Sequence, residues 1–213
     1  VAGIGKSRLA WEFEKHLDGL VDQIWWHRGR CLAYGEGVAF WALAEMVRMR
    51  AGIAEDEPEA SALAKLAATV EQHVSDHGER EWVEPLLRHL LGLGERPQVE
   101  RADLFSAWRL FFERMSDSAP VALVFEDLHW ADTALLDFIE HLLEWSRARP
   151  IFVLALTRPE LLDRRGDFGA HSRSSTTLVL EPLSDDAMDA LLDGLVPGLP
   201  DEARTQIRER ADG

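Results

Sequence analysis

Apolar residues at Leu9, Trp11, Phe13, Leu17 and Leu20 recur at mostly helical spacing and predict a helix over 9–20. Residues 21–27, Val-Asp-Gln-Ile-Trp-Trp-His, read as a strand and run into a glycine-containing connection at 34–37. Helical patterning returns over 40–49, stops at the acidic stretch 55–59, and resumes over 60–77 and 82–93. Leu104, Phe105, Trp108, Phe111, Phe112 and Met115 keep strict i, i+3/i+4 spacing, which predicts a buried helical face. After Pro120, the continuous apolar run 121–125 suits a strand covered on both faces, as in a parallel sheet between helices. A helix over 133–147, a second apolar strand over 151–156 and a short strand over 177–180 follow. The last two predicted helices begin at Ser184, with Asp185 and Asp186 in the first turn, and span 201–211. Alternating helices and strands predict a three-layer α/β sandwich with a parallel sheet.

Composition narrows the class. A chain of 213 residues, 46% hydrophobic and 29% charged, has the makeup of a globular domain with a core, and neither apolar run approaches the roughly 18 residues of a membrane helix. With 23 Lys+Arg against 38 Asp+Glu, the net charge of −15 opposes binding to a phosphate backbone, so no direct nucleic-acid contact is expected. Cys31 is the single cysteine, which rules out an internal disulfide. There is no asparagine, so the N-K-x-D string that reads guanine cannot occur, and the D-x-x-G match at Asp163-Arg164-Arg165-Gly166 is set aside as chance. Trp11, Trp108 and Trp145 fall on helical apolar faces and are expected in the core rather than on a stacking platform.

The candidate chemistry begins at the N-terminus. Gly3-Ile4-Gly5-Lys6-Ser7-Arg8 leads into the first helical pattern and fits G-x-x-x-x-G-K-[ST], whose opening glycine would fall just before Val1. In such a loop backbone N–H groups cradle phosphates, the lysine neutralises them and the hydroxyl holds Mg²⁺. Lys6 is thus expected on the β- and γ-phosphates and Ser7 on the metal. Glu126 and Asp127 close the first apolar strand, at the strand end where parallel sheets bind ligands. One carboxylate there would serve the metal and its neighbour would polarise the attacking water. By position these are Glu126 and Asp127 respectively, with the reverse assignment left open because the first acid is the longer one. Thr157 and Arg158 end the next strand at the same edge, suited to sensing and stabilising a terminal phosphate. Asp132 is read as the N-cap of the helix at Thr133, and Trp130 as a packing residue.

Four stretches, Ala2 to Leu9, Gly29 to Trp41, Phe125 to Asp132 (Phe-Glu-Asp-Leu-His-Trp-Ala-Asp) and Leu156 to Glu160 (Leu-Thr-Arg-Pro-Glu), together resemble the AAA-like, Orc1-like ATPase modules of STAND-type signalling proteins. The resemblance implies a P-loop NTPase sandwich of strand order 5-1-4-3-2 with a helical insertion, binding ATP and Mg²⁺ in the cytoplasm. It implies Walker A at Gly3–Ser7, Walker B over 121–127 and a sensor-like Thr157-Arg158. The chain departs from the pattern at Glu126, where Asp is commoner, and at Thr157, where Asn is typical. The expected partners are attached output domains (a cyclase, helical repeats or a DNA-binding domain) and nucleotide-dependent self-association, with no membrane. Residues 1–195 would form the ATPase domain and 196–213 the start of a helical subdomain. The sheet's first strand would precede Val1, so that residues 1–213 alone are expected to expose apolar strand edges and associate.

Overall fold

The computed structural model describes residues 3–33, 39–94, 98–170 and 174–210, so the connection expected at 34–37 lies outside the described residues. The chain divides into two units, His16–Ser175 and a second formed by Val1–Lys15 with Thr176–Gly213. Each is described by itself.

The larger unit is built on a parallel sheet. β1 (Trp25–Arg30), β2 (Val121–Glu126) and β3 (Ile151–Ala155) lie in that order, with Trp25 opposite Val121, Arg30 opposite Glu126 and Val121 opposite Ile151. β2 is central, and its five apolar residues are buried as a two-sided strand requires. Trp25, His27 and Gly29 share one face with Val121, Leu123, Phe125, Ile151, Val153 and Ala155, because side chains alternate along a strand. That face joins the hydrophobic core.

Between β1 and β2 the chain forms α2 (Trp41–Ala51), α3 (Glu59–His73), α4 (His77–Leu90) and α5 (Arg101–Ser116). The predicted face of α5 goes inward: Trp108, Phe111, Phe112 and Met115 are essentially fully buried, and the Trp108 indole N–H donates to the Leu86 carbonyl at 2.9 Å. α6 (Thr133–Trp145) buries Leu135, Leu136, Phe138, Ile139 and Leu142, and a short α7 (Glu160–Arg164) follows β3.

Several expectations are corrected. The first strand begins at Trp25 instead of Val21, because β2 pairs with it from Val121 onward and Leu20 and Val21 sit exposed past the first helix. The helix expected to reach residue 77 ends at His73, and the next starts at His77 because the Asp76 carboxylate accepts from the Glu79 N–H at 2.8 Å. β3 is not covered on both faces, since Phe152 is 46% exposed. Trp145, at the last turn of α6, is 64% exposed and leans on the His141 ring instead of entering the core.

The smaller unit holds most of α1 (Lys6–Asp18), then α8 (Asp185–Leu195) and α9 (Asp201–Arg210). Ser184 caps α8, its hydroxyl accepting from the Ala187 N–H at 3.3 Å. Trp11 is 44% exposed, so its predicted core position is wrong: Arg8 and Lys15 flank its ring at 4.7 and 4.0 Å, covering the indole with cations. Residues 177–180 form no strand. Leu178 and Val179 are exposed and no strand pairs with them among the described residues, which leaves an apolar run without the ladder that would make it a strand. The five-strand order is therefore not formed among the described residues.

Candidate functional site

The loop glycines lie in the smaller unit. Gly3 and Gly5 sit at φ +84° and +93°, in the region that favours glycine, and a Cβ at either would meet nothing within 4 Å. The space beside the loop is open, and α1 starts immediately at Lys6, with the Leu9 N–H donating to the Gly5 carbonyl at 2.9 Å. A glycine loop that opens directly into a helix presents backbone N–H groups and the positive end of the helix dipole to an anion. The loop therefore fits a polyphosphate. Ser7 lies exposed in that first turn, and Arg8 is drawn along the helix to Glu12 at 2.5 Å. Val1 and Ala2 lie outside the described residues.

In the larger unit the parallel strands bring Arg30, Glu126 and Ala155 to one edge of the sheet, followed by Thr157 and Arg158. Each acid of the pair meets an arginine of β1. Arg28 Nη1 donates to Glu126 Oε1 at 2.7 Å, and Arg30 Nε donates to Asp127 Oδ2 at 2.8 Å. The Asp127 carboxylate holds the Arg30 guanidinium above its ordinary pKa, helped by Glu126 and Glu45. Glu45 of α2 also accepts from the Arg30 backbone N–H at 2.8 Å. Glu126 is half-buried beside its arginine, and a carboxylate has acceptor capacity on both oxygens, so a metal ligand role fits its chemistry.

Asp127 leaves β2 in the left-handed region, φ +53° and ψ +38°. A non-glycine residue there carries strain of order 1 kcal/mol and persists where neighbours fix it. The neighbours are backbone bonds on either side: the Cys31 N–H donates to the Glu126 carbonyl at 2.9 Å and the Leu128 N–H to the Leu156 carbonyl at 3.0 Å. A single 3-10 turn, Leu128–Trp130, leads on to Asp132, whose Oδ1 accepts from the Leu135 N–H at 2.7 Å. Asp132 is the helix cap that the sequence suggested. Trp130 is 49% exposed and lies tilted against the His129 ring, so its expected packing role is partial.

Thr157 Oγ1 donates to the Arg158 carbonyl at 3.2 Å, and that carbonyl also accepts from the Leu161 N–H at 3.1 Å. Cys31 is buried at the end of β1. Burial, with Asp127, Asp132 and Glu45 nearby, pushes its thiol up to about 12, so it stays protonated and is no nucleophile.

The structure thus gathers Glu126, Asp127, Thr157 and Arg158 on one sheet edge in one unit, while Gly3, Ile4, Gly5, Lys6, Ser7 and Arg8 belong to the other. Sequence reasoning missed Arg28, Arg30 and Glu45. The i, i+2 spacing of the two arginines was visible, but only the strand register sets them against the acids.

A phosphate-type loop opening a helix, with an acid pair at the end of a central parallel strand, defines an α/β domain of the P-loop NTPase kind. A family model described as AAA ATPase domain matches residues 1–154, and the chain belongs to that family. No curated protein and no solved structure match it. Family membership implies nucleotide binding, typically with Mg²⁺. No helix among the described residues is long and apolar enough to cross a membrane.

Proposed function

We propose that this chain is the ATP·Mg²⁺-binding, slowly hydrolysing switch module of a multidomain signalling or transcriptional regulator of the STAND, Orc1-like kind. The observation that carries the reading is the pairing, within one AAA family chain, of a positive-φ glycine loop opening α1 with an acid pair on the central strand. Gly3, Ile4, Gly5, Lys6, Ser7 and Arg8 would hold the phosphates, with Ser7 and Glu126 on the metal. Bound Mg²⁺ would neutralise charge developing on the phosphates. Asp127 would orient and deprotonate the attacking water, and Thr157 and Arg158 would contact the terminal phosphate.

On this reading residues 1–195 are the ATPase domain and 196–213 open a helical subdomain, in a cytoplasmic protein. Nucleotide state would act on attached output domains or on self-association. Release of phosphate from ATP by the full-length protein should fall at least tenfold in Asp127→Asn. Hydrolysis at the unsubstituted rate in that variant would remove Asp127 from the reaction.

A second reading, a nucleotide-dependent scaffold that does not hydrolyse, is favoured by one observation: both carboxylates are already engaged by Arg28 and Arg30. Phosphate release that never exceeds background in the unsubstituted protein would select it.

A further inference from the structure

The Asp163-Arg164-Arg165-Gly166 string is a chance match to a GTPase pattern in a chain without asparagine, yet its two arginines are both engaged. Arg164 ends α7, and its Nη2 donates to two backbone carbonyls of the turn after the acid pair, His129 at 3.0 Å and Ala131 at 3.1 Å. Arg165 reaches α6, where it donates to Asp137 Oδ1 at 2.6 Å and to Glu140 Oε2. Leu161, on the same short helix, is fully buried. α7 is therefore fastened to the turn and to the helix that follows it.

The other end of the same segment is also tied to that turn. The Leu156 N–H donates to the Phe125 carbonyl at 2.9 Å and its carbonyl accepts from the Leu128 N–H at 3.0 Å. Thr157 and Arg158 lie between these two attachments, Leu156 before them and Arg164 after. Asp127, in its left-handed conformation, sits in the turn they grip, and such a conformation needs support from outside.

The geometry points to Arg164 as a positioning residue that couples the Thr157-Arg158 segment to the turn carrying Asp127. This rests on the reading above, in which Arg158 meets the terminal phosphate and Asp127 the water. A shift of Arg158 toward a phosphate pulls on α7, and Arg164 passes the pull to the carbonyls of His129 and Ala131. The role suits a guanidinium, a rigid planar fork with five donors, better than the single ammonium of lysine.

The test uses the full-length protein and its Arg164→Gln and Arg164→Lys variants, with hydrogen exchange, ATP affinity and hydrolysis measured on each. The amides of Trp130 and Ala131, bonded within this turn to the Asp127 and Leu128 carbonyls, and that of Leu128, bonded to the Leu156 carbonyl, should exchange at least tenfold faster in Arg164→Gln, with Leu123 and Val124 of β2 unchanged. The turnover rate should fall at least tenfold while ATP affinity stays within twofold, and Arg164→Lys should lie between. Exchange that is unchanged, or that rises equally in β2, overturns the proposal, as does a matched loss of affinity and turnover. Normal turnover in Arg164→Gln overturns the coupling and leaves the ATPase reading standing. Absence of hydrolysis in the unsubstituted protein overturns both, and the exchange data then still report whether Arg164 holds the turn.

Discussion

His27 enters the core from β1, only 1% exposed, with its ring edge-on to Phe112 and its Nε2 accepting from Arg50 Nε at 3.1 Å. Burial, reinforced by the Arg50 charge, lowers its pKa to about 3, so the folded protein keeps it neutral. The unfolded chain takes up that proton near pH 6.5. Between pH 6.5 and 3 the unfolded state therefore binds more protons, and stability is full above this window and falls as pH drops through it. His73 and His141 are lowered mainly by burial and act with the same sign. From pH 6.5 to pH 5 His27 alone should remove about 2 kcal/mol. Urea unfolding at the two pH values measures this, and a His27→Gln variant should lose correspondingly less on acidification. An equal loss in both proteins would assign the pH dependence to other groups.

At the scale of elements, β1 and α2 are joined through a glycine. A Cβ on Gly29 would stand 2.1 Å from the Ala42 carbonyl oxygen and 2.7 Å from its carbon, both backbone atoms that cannot turn away. Gly29→Ala should cost about 3 kcal/mol, read as a drop in the denaturant midpoint, because the helix must lift off the strand. A change below roughly 0.5 kcal/mol would mean that α2 does not lie against β1 as described. The sequence carried the apolar face of α5, the buried run of β2 and the Asp132 cap, because each is a local pattern with a local cause. It did not carry the start of β1, which pairing with β2 decides, or the fate of the tryptophans. Trp11, Trp108 and Trp145 all obey helical spacing, yet only Trp108 has helices and strands around it to fill. The partners of the acid pair were hidden for the same reason, since Arg28 and Arg30 meet Glu126 and Asp127 across 98 and 97 residues of chain.

At the scale of the molecule, the phosphate loop belongs to one unit and the acid pair to the other, and the family match over 1–154 runs across both. The central claim is that the Gly3–Ser7 loop binds the phosphates of ATP, and such a ligand switches a protein by favouring one of its states over another. The most direct test of that claim is an equilibrium titration of the full-length protein with ATP and Mg²⁺, alongside its Lys6→Ala variant. If Lys6 neutralises the phosphates, the variant should bind at least tenfold more weakly, and removing Mg²⁺ should weaken the unsubstituted protein too. Equal affinity in the two proteins would contradict the account at its centre.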